Sequence, residues 1–380
     1  MSIHRVAEKH YQVKVRLRTQ ADGSRPWKTK TVHGTIDEAR RVEREMLGRR
    51  DQGQLSKKAG QLALYCDEWF REAARSASPG TRQHWAWLID EVIVPRLGHH
   101  KLHEITPRVV REFYGDLVTA KADGGCGYSG TTAQKVAIRL GVILDQAALD
   151  GLIVANPCRP VKRPQVDTPE KRALSADDAR ALIATFSDTR RGRAVRDVTI
   201  FMLGTGARPG EALALHWDDV DLAVGQAWIG SSLEKVDGLP ARIKNVKTAR
   251  GQRMVPLAAN VVAMLRRHRR EQDEYRLATG RWRDEGFVFP SLDRTRIPGG
   301  PWSRQAFHKA WDFDLRDTRF ADLTPYVCRH SFATLMRSHI PDEELSRILG
   351  HSSSMTLQRT YSHADPVVLS RVREIIAAVL

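Results

Sequence analysis

Apolar residues follow two different periods along the chain, and the change of period separates a short β-rich start from a long helical remainder. Over residues 11–17 apolar side chains alternate with polar and basic ones, which predicts a half-buried strand. Residues 27–32 are predicted to return as a second strand after a turn. Thr35, with Glu38 three residues later, is typical of a helix start, and this arginine-rich helix is predicted to run to about Arg50. The segment is predicted to be a DNA-binding module or a structural adapter.

A helical period then extends from about residue 62 to residue 155, broken by Ser78-Pro79-Gly80 and by a cluster of glycines at 124–130. The pattern predicts a small domain of four or five helices. Its last helix carries two basic positions, Lys135 and Arg139, that would contact DNA or remain as solvated charges on the back of the helix.

A basic stretch with three prolines, residues 157–164, favours an extended path between two domains. Lys162 and Arg163 lie within it and are candidates for contact with a DNA backbone. We therefore predict a small basic domain of strands and a helix, a helical domain, a linker and a final domain, at residues 1–57, 58–156, 157–172 and 173–380.

The last region mixes helical patterns with short strand patterns. Its predicted strands lie at residues 228–229, 242–246 and 253–255. An amphipathic helix over residues 367–380 is predicted to pack on its own domain or on a neighbouring molecule. The fold class predicted for the whole chain is mainly α with small β-sheets, that is, α+β.

Charge changes this picture most, because the formal net charge is +16 and the basic residues are spread through the predicted domains. Such an excess favours a polyanion, with nucleic acid the first candidate; a solvated basic face is the alternative. The four cysteines lie far apart without CxxC spacing, which argues against a zinc ribbon and a disulfide scaffold. No run approaches the roughly 18 apolar residues of a membrane helix, and no secretory signal opens the chain. A soluble, cytoplasmic protein is expected.

The stretch TGARPGEAL lacks the glycine spacing of a dinucleotide loop and the GK[ST] of a phosphate loop. It is predicted to deliver Arg208 to the start of a helix over residues 209–216, where free N–H groups favour anions. The alternative is an arginine that pairs locally with Glu211. Residues 244–257 are predicted to form a β-hairpin with Lys247 near its turn, either a solvated lysine or a general acid.

Four further residues complete the candidate chemistry. Tyr326 and Arg329 are three apart at a helix start and are predicted to share a face, so that Arg329 and Arg208 would clamp two oxygens of one phosphate. A predicted helix over residues 341–349 ends at Gly350; His351 follows at once, and Tyr361 ten residues later.

These motifs, TGARPGEAL, KTARGQR-VPL, RHSFAT, LGH and TYSH, occur in one order over roughly the last two hundred residues. In that order and context they resemble the tyrosine recombinase (phage integrase) family. The preceding regions resemble the same family's basic arm-type domain and helical core-binding domain. Five separated motifs in one order are far more specific than any one of them.

The resemblance implies a site-specific recombinase that cleaves and rejoins strands of double-stranded DNA at attachment sites, without metal or cofactor. Tyr361 would be the nucleophile that forms a 3′-phosphotyrosine. Arg208 and Arg329 would stabilise the transition state, Lys247 would protonate the 5′-oxygen, and His351 would bind the phosphate or help to deprotonate Tyr361. The family also implies that the protein forms a tetramer on DNA, and we expect it to be a monomer when free in solution. A directionality factor is a possible further partner.

Tyr326 departs from the family pattern, which usually has histidine there. A phenol donates a hydrogen bond but, with an ordinary pKa of about 10, cannot shuttle protons at neutral pH. We therefore expect a supporting role for Tyr326. A type IB topoisomerase, which shares this chemistry, and a DNA-binding regulator are the competing hypotheses. Among recombinases, a phage integrase, the enzyme of another integrative or transposon-borne element and a chromosome resolvase remain as alternatives, and the arm-type domain favours the first two.

Overall fold

The structure is a computed structural model of the chain in two compact units, Met1–Pro169 and Glu170–Leu380. It describes residues 2–7, 9–16, 27–51, 60–166, 172–234, 242–245, 252–292, 297–350 and 366–379. Most described residues are helical and the sheets are small, which confirms the predicted fold class. Among these residues no helix is both long and apolar enough to cross a membrane.

The first unit opens with an antiparallel three-stranded sheet and one helix: β1 (Ser2–Ala7), β2 (His10–Arg16), β3 (Trp27–His33) and α1 (Ile36–Asp51). The two predicted strands and the helix are confirmed, whereas β1 is a further strand outside the predicted ones. Val13 and Val15 on β2 pack against Ala39 and Met46 of α1. The predicted cap is also present, because the Thr35 N–H donates to the Glu38 carboxylate at 2.6 Å.

The same unit continues with helices that match the predicted helical region. They are α2 (Leu62–Ala73), α3 (Pro79–Trp87), a π-helical stretch (Leu88–Ile93), α4 (Val94–Leu97), α5 (Pro107–Val118) and α6 (Gly130–Leu149). Ser78, Thr106 and Ser129 cap α3, α5 and α6 through their side-chain oxygens. One face of α6 is fully buried and forms the centre of this core.

The first residues of the predicted linker pack onto this helical core. Cys158 and Val161 are buried in it, and the Cys158 N–H donates to the Asn156 side chain at 2.8 Å. The Asn156 amide in turn donates to the Gly141 carbonyl and to Asp145, both at 2.8 Å. The packed part of the chain thus extends beyond α6, while the bounds of the four predicted regions stay a prediction.

In its described part, the second unit surrounds a buried helix with seven other helices and several short strands. Its helices are α7 (Ala176–Thr185), α8 (Arg190–Thr205), α9 (Pro209–Ala212), α10 (Ala259–Thr279), α11 (Arg304–Leu315), α12 (Tyr326–Arg337), α13 (Asp342–Leu349) and α14 (Pro366–Val379). Its strands are β4 (Val220–Asp221), β5 (Gln226–Ile229), β6 (Ser231–Glu234), β7 (Arg242–Asn245) and β8 (Arg253–Pro256). The buried helix is α8, which packs against α10, α11 and α12.

Two predictions for this unit are wrong. The hairpin predicted over residues 244–257 is not formed by β7 and β8, since β7 pairs with β6 and β8 pairs with β5. The two strands thus pair with successive parts of segment 226–234: the pairing of β8 reaches Ile229 through Arg253, and the pairing of β7 begins at Ser231 through Asn245. The helix predicted over residues 209–216 ends at Ala212, where the buried residues 213–215 lead instead into a bridge between His216 and Phe287.

The C-terminal helix packs on its own unit, one of the two alternatives that its pattern left open. Val372 and Ile376 of α14 are buried in the core of the unit, and α14 contacts α7, α10 and β8. The Arg373 side chain donates to the carbonyls of Val224 and Gly225, at 3.2 and 3.0 Å.

Replacing Ser331 by alanine should destabilise the second unit by about 1–3 kcal/mol, the cost of a buried donor left without a partner. The Ser331 hydroxyl is fully buried, accepts the Leu174 N–H at 2.8 Å and donates to the Val327 carbonyl at 2.8 Å. Hydrogen-exchange pulses across a urea series, read on α8, measure this unit separately. The control is Ser338→Ala, whose hydroxyl is exposed and bonds at 3.3 Å; equal losses for both variants would contradict the account.

Candidate functional site

Arg208 is placed by a tight turn between α8 and α9. Gly206 ends α8 with a φ of 65°, a left-handed conformation that suits glycine. A Cβ at this position would lie 2.7 Å from atoms of both Leu349 and Phe332. The turn therefore lies directly against α12 and the end of α13, and it presents Arg208 as the residue that precedes α9.

Glu211 is a buried carboxylate held by two arginines. It accepts the Arg208 side chain at 2.6 Å, the Arg208 N–H at 2.9 Å and the Arg253 side chain at 2.9 Å. Burial alone would raise the pKa of Glu211, but Arg253 and then Arg208 keep it below the ordinary value. The local pairing of Arg208 with Glu211 is thus present, yet Arg208 keeps about a third of its side chain exposed.

Arg329 lies on α12, 7% exposed, and holds two parts of the backbone together. It donates to the Gly206 carbonyl at 2.8 Å and to the Leu349 carbonyl at 2.6 Å. Burial, and then the charges of Arg208 and Arg253, lower the pKa of Arg329 to about 9. The structure therefore brings Arg208 and Arg329 together, as their predicted roles require.

Arg253 supplies a second contact with the end of α13. Its Nε donates to the Ile348 carbonyl at 2.6 Å, next to the Leu349 carbonyl that Arg329 binds. Guanidinium groups satisfy helix carbonyls that have no partner within the helix and suit the negative end of the helix dipole. The last two residues of α13 are consequently each fixed by a different arginine.

The electrostatics of this cluster favour an anion. Three guanidinium groups, of Arg208, Arg253 and Arg329, surround a single carboxylate, so three positive charges and one negative charge give a local excess of +2. The lowered pKa of Arg329 reflects the burial and mutual repulsion of these cations. A phosphate would relieve that repulsion, and charge that develops on it during a reaction would be stabilised further.

Tyr326 is the first residue of α12, one turn before Arg329, and 44% of it is exposed. Lys247, His351 and Tyr361 lie outside the described residues. In the sequence, β7 ends at Asn245, two residues before Lys247, and Gly350, which follows the last residue of α13 with a φ of 66°, directly precedes His351. Gly350 thus provides the helix stop that the sequence predicts.

The four predicted DNA-contacting residues of the first unit have different surroundings. Lys135, Lys162 and Arg163 are exposed. Arg139 is partly buried instead, with its guanidinium 4.1 Å from the ring centre of Trp85 and 5.2 Å from that of Trp69. Burial lowers the pKa of Arg139. Its stacking gives it a packing role besides any contact with DNA.

Sequence reasoning did not single out Arg253 and Gly206. Arg253 lies inside the motif that contains Lys247, but only its position on the buried face of β8 reveals its partners. A second buried polar group, His268 with Asp197, lies between α10 and α8; the His268 ring nitrogens are 2.8 Å from Asp197 and from the Val288 carbonyl. Within the described ranges, no cluster of histidine, cysteine or acidic residues could hold a metal ion.

Comparison with known families gives two matches. Residues 172–367, more than half of the chain, match the model of the phage integrase family. Residues 63–164 match the model of the phage integrase central domain. The first match covers Arg208, Lys247, Tyr326, Arg329, His351 and Tyr361, and the second covers the helical part of the first unit.

Individual relatives agree with these matches. An integrase of Streptomyces ambofaciens is 27% identical over 313 residues, which span 78% of this chain and 74% of that protein. The Tn1549 transposon integrase, solved with a circular intermediate DNA, superposes with a TM-score of 0.64 at 18% identity, covering 83% of this chain and 98% of its own. A lambda integrase tetramer bound to a Holliday junction gives a TM-score of 0.56 at 16% identity, covering 94% and 98%. The two structures show a shared fold.

The charge of Glu211 should make the second unit sensitive to acid. Its pKa in the folded protein is below the ordinary 4.5, so Glu211 adds stability above that pH and loses it as the pH falls through the folded pKa. We expect the urea midpoint of α8 protection to fall as the pH is lowered below about 5, and to fall less in Glu211→Gln. The control is Glu274→Gln, an exposed position on α10. An equal pH response in Glu211→Gln and the unaltered protein would contradict the assignment.

Proposed function

The chain belongs to the phage integrase family and is a tyrosine-type site-specific recombinase, and we propose that it cleaves and rejoins double-stranded DNA at attachment sites through a 3′-phosphotyrosine on Tyr361. The observation that carries this mechanism is the cluster of three arginines around Glu211 at the end of α13. A net positive, partly buried cluster suits a phosphodiester, and Tyr361 follows the same helix in the chain.

In the proposed cleavage step the Tyr361 oxygen attacks the scissile phosphorus. The phenol loses its proton, the bond between phosphorus and the 5′-oxygen breaks, and that oxygen takes a proton to leave as a 5′-hydroxyl. A 5′-hydroxyl from a partner strand then attacks the phosphotyrosine and restores the free phenol. Because the covalent link keeps the energy of the broken bond, the cycle requires no external energy source.

The other residues of the site have the following proposed roles in the cleavage step. Arg208 and Arg329 stabilise the additional negative charge on the five-coordinate phosphate, and one such preorganised donor contributes roughly 3–4 kcal/mol in comparable sites. Lys247 protonates the leaving 5′-oxygen. His351 donates a hydrogen bond to the phosphate or accepts the Tyr361 proton. Tyr326 donates a hydrogen bond from the place where the family usually has histidine.

DNA contacts outside this cluster are proposed for the first unit. Lys135, Lys162 and Arg163 are exposed cations suited to backbone phosphates. Lys162 also borders a cavity of about 610 Å³ together with Arg111, Tyr114 and Ser129. Arg139 is the weakest of the four candidates, since Trp69 and Trp85 already hold its guanidinium. The sheet of β1–β3 is proposed to bind arm-type DNA through its basic side chains.

The biological setting follows from the same class. We propose that the protein acts in the cytoplasm and integrates or excises a phage genome or another mobile element, with an accessory factor as a possible source of direction. The Streptomyces integrase and the transposon integrase support this role over chromosome resolution. We also propose a monomer in solution and a tetramer on DNA, in which α14 links the copies; the lambda integrase tetramer supports that assembly.

The nucleophile can be tested on DNA that the full chain selects from a random double-stranded pool. Nicks at successive positions let cleavage release a short fragment and trap the adduct, and mass spectrometry identifies the attached peptide. We expect the unaltered protein to form the adduct on Tyr361 and the Tyr361→Phe variant to form none. The Tyr326→Phe variant should form the adduct on Tyr361 about tenfold more slowly, because it lacks one hydrogen bond. An adduct on Tyr326 would overturn the assignment of the nucleophile. If the protein binds the DNA but forms no adduct, the hypothesis of a DNA-binding regulator would be favoured.

Removing residues 366–380 should separate binding from assembly. Single-site complexes with the selected DNA should persist, because the arginine cluster and the first unit remain, whereas complexes that join two DNA sites should disappear. Gel mobility distinguishes the two kinds of complex. Val372 and Ile376 pack inside the unit, so the protection of α8 must be checked in the same sample. Undiminished two-site complexes would contradict the role of α14.

A further inference from the structure

Arg253 is the first residue of β8, and its side chain is almost completely buried, with 5% exposed. It donates from Nε to the Ile348 carbonyl at 2.6 Å and from Nη2 to Glu211 at 2.9 Å. One side chain thus joins three segments that are far apart in the sequence: the start of β8, the turn at α9 and the end of α13.

Each of these segments leads to a group of the proposed reaction. Glu211 binds the side chain and the N–H of Arg208. Ile348 comes three residues before His351, in the segment that continues to Tyr361. Lys247 comes six residues before Arg253 in the chain, between β7 and β8. Arg253 therefore connects the chain near Lys247 with the segments that carry Arg208 and the nucleophile.

The strand pattern shows that a charge at this position is costly unless it has partners. Arg253 pairs with Ile229 across the sheet, and along β8 the buried residues Arg253 and Val255 flank Met254, which is partly exposed. An apolar side chain would satisfy such an inward position, whereas a buried charge must be paired to be tolerated. The hydrogen bond to the Ile348 carbonyl and the ion pair with Glu211 compensate that cost. They also fix the distance between the three segments.

We propose that Arg253 is a positioning residue for strand cleavage, which sets the places of the segments that carry Lys247 and Tyr361 relative to Arg208. This inference rests on the proposed function. Arg253 contacts Glu211 and the Ile348 carbonyl. Its charge is one of many cations on the chain, so we expect its loss to lower the rate of cleavage far more than the affinity for DNA. A displacement of about 1 Å in a reacting group typically slows a reaction by roughly 10²-fold.

The test compares Arg253→Met and Arg253→Lys in the full chain, on the nicked DNA that gives the adduct. Under single-turnover conditions we expect the cleavage rate constant to fall by about 10²-fold in Arg253→Met and by about tenfold in Arg253→Lys, which keeps the charge. The dissociation constant for the DNA should change by less than about threefold. The control is Arg266→Met, an exposed arginine that also donates to a carbonyl, that of Leu222 at 3.1 Å, and it should cleave at the unaltered rate.

A second substrate separates positioning from a loss of folded protein. DNA with sulfur in place of the bridging 5′-oxygen has a leaving group that needs no proton, because a thiol has a pKa of only about 8.5. Lys247→Ala should recover its rate on this DNA, and Arg253→Met should recover in part, since the segment of Tyr361 is displaced as well. Complete recovery, or none, would overturn the proposal, because Arg253 would then position one segment only.

Two controls keep the outcomes distinct. The unaltered protein must first form the Tyr361 adduct; if it does not, the proposed function fails whatever Arg253 does. If it does, and Arg253→Met cleaves at the same rate, the inference about Arg253 fails alone. If Arg253→Met loses the hydrogen-exchange protection of α8, the more conservative variant Arg253→Lys tests the proposal instead, through its cleavage rate constant and its dissociation constant for the DNA.

Discussion

The site depends on the ion pairs of Glu211, the buried carboxylate among three guanidinium groups. Without the Glu211 carboxylate, Arg208 and Arg253 would face each other and Arg329 in a region with little water. Their repulsion would push the segments that carry these arginines apart. Removing one partner of such a buried pair typically costs 3–5 kcal/mol. The cluster is nevertheless an expensive way to hold a fold together, since apolar residues often do so equally well. Its charge is thus better explained by the phosphate that we propose it binds.

The same cluster determines where the chain leaves α13. Arg253 and Arg329 bind the carbonyls of Ile348 and Leu349, and Gly206 leaves no room for a side chain against Leu349. The side chains that fix this helix end are consequently the same ones that we propose to bind the phosphate. A phosphate that orders the arginines would also tighten their hold on α13, which couples substrate binding to the position of the following segment.

The local parts of this structure follow from the sequence, because helix periods and caps depend on neighbouring residues. The cap at Ser175 and the stop at Gly350 are examples. Strand pairing is not local: the alternation in β7 and β8 is compatible with a hairpin, and only the continuous partner segment 226–234 decides otherwise. Side-chain surroundings are equally non-local, so that Arg139 could not be predicted to stack on tryptophans, nor Arg253 to be buried. Motif order identifies Arg208 and Arg329, whereas the network joining them requires coordinates.

The docking of α14 on its own unit has a consequence for assembly. A helix tethered to its own binding surface occupies it at an effective concentration of about millimolar, far above that of free copies of a protein in solution. A helix from another molecule competes only where the copies are held together at a similar local density. Adjacent binding positions on one DNA would create that density, and exchange of α14 would then need no new interface, because every copy carries an identical surface. Oligomerisation would in this way be governed by the template rather than by the abundance of the protein.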